Sequence, residues 1–283
     1  MTALFRLVLL LLCSTVTLFA QDFQGVATYK TQRSLDIKLD STEVGGTEMQ
    51  KQLMDMLKKQ FQKTYLLTFD KTKSIYKQDE ELAPPTTGKG MVFVMSDSES
   101  GSLFKNIQTQ SFVNQVETLG KQFIIKDSMP TIQWILHDET KNIGTYTCFK
   151  ATFTKEVEEL SMMTFSSDDG EKDVKQEDTD TPKMITQTVT AWYTPQIPIS
   201  NGPDQYHGLP GLILEVSDGD LTILCSKITL NPKKTIEIQE PKKGKQVTQA
   251  EYDAIMLKKM EEMNDQFKSR NSGGNSFEIH IGG

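Results

Sequence analysis

Three histidines, three cysteines and thirteen methionines carry the most specific chemistry in this 283-residue chain. His137, His207 and His280 lie far apart, so the sequence holds neither a HExxH helix nor a His-rich metal motif. No Gly-x-Ser-x-Gly elbow, P-loop or Rossmann glycine pattern occurs, which removes the common hydrolase and nucleotide signatures. Adjacent carboxylates such as Asp138 and Glu139 are plentiful, and glycoside hydrolysis needs only two at the right separation. A hydrolase of glycan or peptide, using carboxylates or His207 beside Tyr206, is therefore kept as an alternative. Methionines gather at Met49, Met54 and Met56, at Met162-Met163, and at Met256, Met260 and Met263. Thioethers bind Cu(I), so periplasmic copper handling is a remote alternative; at helical spacing the same residues fill apolar cores. No metal or cofactor is expected.

The most distinctive stretch runs from Trp192 to Val216, WYTPQIPISNGPDQYHGLPGLILEV. Pro195 and Pro198 end the preceding strand by fixing φ and removing amide donors. Leu209-Pro210-Gly211-Leu212 predicts a type II turn, with proline second and a positive-φ glycine third. Leu212 to Leu214 then enter the sheet as a strand apolar on both faces. Trp192, Tyr193, Tyr206 and His207 are the candidate binding residues, with packing anchors as the alternative role for the three aromatics.

The elements that must position these groups are mostly strands. Apolar runs of period two or compact form recur from Val26 to Leu39, Tyr65 to Phe69, Ile75 to Lys77, Met91 to Met95, Phe104 to Thr109 and Phe112 to Glu117. They continue at Phe123 to Lys126, Ile132 to His137, Thr145 to Thr154, Ile185 to Tyr193, Leu212 to Val216, Leu221 to Leu230 and Thr235 to Gln239. The spacing predicts an antiparallel meander, with Asp218-Gly219 in a tight hairpin. His137 is placed on the strand face opposite Ile132, Trp134 and Leu136, as a surface residue. Two segments turn to helical periodicity. Thr47 with Gln50 opens the first, carrying Met49, Leu53, Met56, Leu57 and Phe61. Thr248 with Glu251 opens the second, about 248–270, with Tyr252, Ile255, Met256, Met260, Met263 and Phe267 on one face. Phe277, Ile279 and Ile281 alternate as a last strand. The fold class that follows is β-rich α+β: a curved, half-barrel-like antiparallel meander packed on one or two helices, in a single domain.

The first twenty residues set the compartment. Arg6, the aliphatic run Leu7 to Leu12 and the ending Leu18-Phe19-Ala20 have the form of a secretory signal cleaved after Ala20. The run is short of the ~20 apolar residues that span a membrane, and no later segment spans either. The full chain has 31 basic and 38 acidic residues, a formal charge of −7. That charge argues against nucleic acid as a partner. The excess is local: ten acids and four lysines fall between Lys155 and Lys183, so the stretch of about 156–182 is expected to be a solvated acidic excursion between two strands. Signal removal leaves Cys148 and Cys225, either as one disulfide or as two buried thiols.

Gly208-Leu209-Pro210-Gly211-Leu212-Ile213 resembles the signature of the GLPGLI family of exported Bacteroidetes proteins. Further matches are Phe123 to Asp127, the Trp134 strand, Asp138 to Gly144, Tyr146-x-Cys148-x-Lys150-Ala151, Trp192-Tyr193, Ile197-Pro198 and Gly202-Pro203. The resemblance covers about residues 110 to 225. It implies an exported protein without assigned catalytic residues, periplasmic or extracellular, associated with TonB-dependent outer-membrane receptors. With the residue reading it gives the expectation of a non-enzymatic envelope protein that binds an apolar ligand or an envelope partner.

Overall fold

The computed structural model describes residues 23–34, 62–79, 101–158, 184–234 and 236–270. Twelve strands form one sheet: β1 (Gly25–Arg33), β2 (Thr64–Phe69), β3 (Lys73–Gln78), β4 (Ser102–Asn106), β5 (Ser111–Thr118), β6 (Lys121–Ser128), β7 (Ile135–Ile143), β8 (Tyr146–Glu158), β9 (Met184–Thr194), β10 (Leu212–Asp218), β11 (Leu221–Leu230) and β12 (Lys245–Val247). A helix, α1 (Gln249–Arg270), follows. The signal segment, the first expected helix, the strand at Met91 to Met95, most of the acidic stretch and the strand at Phe277 to Ile281 lie outside the described residues.

The sheet order is β12-β6-β5-β4-β3-β2-β1-β11-β10-β9-β8-β7. It comprises two antiparallel meanders, β1 to β6 and β7 to β11, joined where β1 pairs antiparallel with β11. β12 adds in parallel to β6. The connection from β6 to β7 dictates the curvature. Ten strand spacings of ~4.8 Å separate β6 from β7 along the sheet, about 48 Å, yet the seven steps from Ser128 to Ile135 reach at most about 25 Å. The sheet must therefore curl until its ends approach, with the 129–134 strap across the gap. It stays open, since β7 and β12 do not pair.

Alternation sorts the residues onto two faces. The register places Ala27, Tyr29, Leu67, Tyr76, Ala151, Val189, Ala191, Val216 and Ile223 on the inner face, all buried. That face has two covers. The 195–211 loop supplies Ile197, Ile199, Tyr206 and Leu209, each at most 3% exposed, to the main core. α1 supplies Tyr252, Ile255 and Met256, which pack on Val116, Phe123 and Ile125. The helix begins with the expected reciprocal cap: the Glu251 amide donates to Thr248 Oγ1 and the Thr248 amide to Glu251 Oε2.

Three expectations are corrected. Residues 236–239 form no strand. They cross the outer face, where Ile238 covers Phe104, Val113 and Ile124, and Gln24 pairs with the backbone of Ile236 through its side-chain amide. His137 is half-buried, with Nε2 2.7 Å from Thr152 Oγ1, whereas Leu136 is exposed; Ile132 and Trp134 precede β7, so the alternation that set His137 apart from them does not run through the strand. Cys148 and Cys225 are both buried and free, so the disulfide alternative is not formed. They sit on β8 and β11 with two strands between, about 14 Å along the sheet and beyond the ~7 Å that a disulfide tolerates between Cα atoms.

Candidate functional site

The 195–211 loop folds back because prolines end β9 and because its amides bond locally. Ile199 N–H donates to Ile197 O and Asn201 N–H to Ile199 O, both at 2.8 Å, tight three-residue turns around Pro198 and Ser200. Gly211 N–H likewise donates to Leu209 O at 2.8 Å. The turn at Pro210 is thus a γ-turn, not the expected type II turn. Gly211 has φ +157°, outside the type II value, and is needed for a different reason: a Cβ there would stand 2.2 Å from Thr194 O.

Inward polar groups pin this loop to the sheet. Lys105, 1% exposed, donates from Nζ to the carbonyls of Gly202 (2.8 Å), Asp204 (2.5 Å) and Tyr206 (3.2 Å). Asp204 adopts φ +47°, a left-handed conformation that Asp tolerates. Asn201 Nδ2 donates to Ser74 Oγ at 2.8 Å, and Tyr29 OH donates to Ile213 O at 2.6 Å. Tyr206 OH donates to Asp218 Oδ2 at 2.6 Å, and the same carboxylate receives Lys155 Nζ at 2.6 Å and Gln187 Nε2 at 2.5 Å.

The electrostatics follow from burial. Desolvation pulls Lys105 down to about 7, against the opposing pull of Asp204. Burial alone would raise Asp218, but its bonds from Lys155, Tyr206 and Gln187 outweigh this and hold it below the usual carboxylate range. His207 is 5% exposed; burial, then the nearby Lys105, lower it to about 4, against a bond with the Pro130 backbone, so the ring is neutral at pH 7. Its Nε2 is the one buried side-chain nitrogen or oxygen among the described residues without a hydrogen-bond partner. Trp134 Nε1 donates to His207 O at 2.8 Å, tying the loop to the 129–134 strap. Burial also pushes the thiols up, Cys148 to about 11 and Cys225 to about 12, which leaves both as weak nucleophiles. Every proton donor of Lys105 is engaged by the loop, so this network holds backbone in place.

The expected binding residues are dispersed around it. Tyr206 and His207 come together but are buried in the pinned loop. Tyr193 is buried on the inner face, its ring 6.1 Å from Phe149. Trp192 is half-buried on the opposite face, with Lys141 Nζ 4.4 Å above its ring and Lys141 paired to Glu215 at 2.7 Å. None of the four borders the cavity described next.

Between the two covers of the inner face lies a cavity of about 250 Å³. Its apolar wall includes Leu103, Val116, Ile125 and Ile223. Tyr65 and Tyr76 stack at 4.9 Å with ring planes 7° apart, and Tyr252 of α1 lies across from them. Among the described residues Arg33, Lys63, Lys77 and Asp204 also border it. Sequence reasoning missed these residues. The available signal was Lys63 and Arg33 in the same alternation as Tyr65, Leu67 and Tyr29, where cations break an apolar face. Among the described residues no three His, Cys, Asp or Glu side chains cluster as a metal site. Of the clustered methionines, Met256 packs on the sheet as a core residue, whereas Met260 and Met263, expected on the same apolar face, are exposed on α1; the other clusters lie outside the described residues. Among the described residues no helix is long and apolar enough to cross a membrane.

Residues 134–215 match a family described as "Protein of unknown function (Porph_ging)". That stretch contains both the Trp134 strap end and the entire pinned loop. No curated protein matches the chain. Similar solved structures include PNGF-II in space groups C2 and P21, each with a TM-score of 0.47 and 11% identity over 83% of this chain. This chain spans about a third of the length of those chains, 33%.

Proposed function

We propose that this is an exported, non-enzymatic binding protein of the GLPGLI type, whose sheet and helix hold a small ligand with a substantial apolar part. The cavity between α1 and the inner face carries this reading: stacked tyrosines and aliphatic side chains form its wall, at a place where neither cover fills the sheet. Its volume, about 250 Å³, is a little below the ~300–1,000 Å³ of drug-sized pockets and suits a compact ligand. Export rests on the N-terminal signal pattern, and the GLPGLI assignment on Gly208 to Ile213 within the matched stretch.

The test is extraction of the protein, isolated natively from its own cell envelope, followed by mass spectrometry of the organic phase. Wild type is expected to release a small molecule that Leu103→Trp, with the cavity filled, does not carry. An empty wild-type protein overturns the reading.

A further inference from the structure

Resting on the cavity reading above, we infer that Lys105 is a positioning residue of the cavity: its ammonium fixes one border through Asp204, so ligand binding and proton binding at Lys105 favour each other. Two residues of β4 connect the places involved. Leu103 and Lys105 share a face of the strand, with Leu103 on the cavity wall and Lys105 bonded under the 195–211 loop. Asp204 connects them again from the loop side. Its carbonyl accepts from Lys105 Nζ at 2.5 Å, and the same residue borders the cavity.

The bonding pattern requires the charged lysine. The carbonyls of Gly202, Asp204 and Tyr206 converge on Nζ, and an ammonium offers three N–H donors and no lone pair. A neutral amine keeps two donors and turns its lone pair toward the third carbonyl, so losing the proton removes a bond and leaves a buried acceptor unpaired. Asp204 is the sensitive member of the three. Its backbone is left-handed, at φ +47°, a conformation that persists only where its surroundings fix it. Once released, this border must be re-ordered by an incoming ligand, which weakens affinity. Burial under the loop brings Lys105 down to about 7, opposed by the charge of Asp204, so the proton exchanges near neutrality. The other titratable groups of the loop near it stay uncharged there: His207 is lowered to about 4, and Tyr206, bonded to Asp218, is raised by burial. Its register neighbours, Ser74 on β3 and Phe112 on β5, carry no charge. Affinity should therefore fall as pH rises through about 7, and a bound ligand should hold the Lys105 proton more tightly by the same factor.

The experiment uses N-phenyl-1-naphthylamine, a fluorescent apolar probe that is uncharged from about pH 6 to about pH 9. It is titrated into the full chain across that range, and the lysine Cε resonances are followed by carbon NMR with and without saturating probe. Affinity is expected to fall roughly three-fold toward alkaline pH. One lysine resonance should titrate near neutrality, and its midpoint should move up by about half a pH unit with probe bound, the same factor read from the other partner. Lys105→Met, with folding confirmed by near-UV circular dichroism, should lose that resonance, bind the probe roughly three-fold more weakly than wild type at acidic pH, and show no pH dependence. A lysine that only pins the loop would keep one midpoint with and without probe. That unmoved midpoint, or the absence of any lysine titrating near neutrality, overturns the positioning role from wild type alone, even where Lys105→Met does not fold. If wild type does not bind the probe, or a folded Leu103→Trp binds it equally well, it is the cavity reading that fails.

Discussion

One inner face is covered in two ways, and the contrast separates structural from binding roles. The 195–211 loop is joined to the sheet by buried polar bonds: Lys105 to three carbonyls, Asn201 to Ser74, Tyr206 to Asp218. α1 covers the other end mainly through Tyr252, Ile255 and Met256, with one buried hydroxyl pair, Thr118 with Tyr252 at 2.7 Å. Multiple bonds within a low-dielectric core leave the loop one arrangement, whereas a few apolar contacts leave the helix poorly fitted to the strands. The cavity lies between the two covers, bordered by Asp204 of the loop and by Gln249 and Tyr252 of α1. The stretch Gly208 to Ile213 and the cavity are thus different places in this protein.

The largest break in that contrast is Lys105→Met, which leaves three buried carbonyls without a donor and should cost about 3 to 5 kcal/mol in urea unfolding. An unchanged midpoint would mean that the loop is not held by Lys105. Gly211→Val drives a Cβ against Thr194 O and should cost about 2 to 3 kcal/mol, read from thermal unfolding. Its harm should appear equally with Gly211→Ala, since the clash begins at Cβ. Removing one hydroxyl from each cover sharpens the comparison. Tyr206→Phe deletes a bond to an ionised carboxylate and should cost about 2 kcal/mol, while Tyr252→Phe deletes a neutral bond and should cost about 1. Equal losses would remove the energetic distinction between loop and helix.

The smallest effect at neutral pH belongs to His207, whose consequence appears on acidification. Its folded pKa, about 4, lies below the ordinary 6.5, so between these values the unfolded chain binds a proton that the folded chain does not. Stability should therefore fall as pH drops from 6.5 to 4. His207→Gln should flatten the urea midpoint across that window while Asp218, depressed below the usual carboxylate range, retains its contribution to lower pH. A wild-type profile with no slope there would contradict the neutral buried ring.

Much of the strand content was legible because period-two alternation is local. Tyr65-Leu-Leu-Thr-Phe69 and Ile185 to Tyr193 carry it in their own residues, and Thr248 with Glu251 marks the helix start from three positions. The binding residues were harder to see. Trp192, Tyr193, Tyr206 and His207 stand out by composition in a Pro/Gly-rich stretch, yet two are locked in the loop and two pack on opposite faces of β9. Lys105 looks like any strand lysine until the register puts it opposite Ser74 on the covered face. The turn at Pro210 was misassigned because proline followed by glycine suits several turns, and the choice between them depends on Thr194 across the gap.

The β-rich class, the helix from Thr248, the bent stretch of Gly208 to Ile213 and the location of the charge excess follow from the residues in order, since each is written in neighbouring positions. The pairing of β1 with β11, the short strap that curls the sheet, the loop that fills one end of its inner face and the meeting of Tyr65, Tyr76, Arg33 and Tyr252 around one cavity arise only in the folded chain. Those outcomes join residues from opposite ends of the chain. They depend on which strands share an edge and which side chains fit in the space that remains, and local periodicity carries neither.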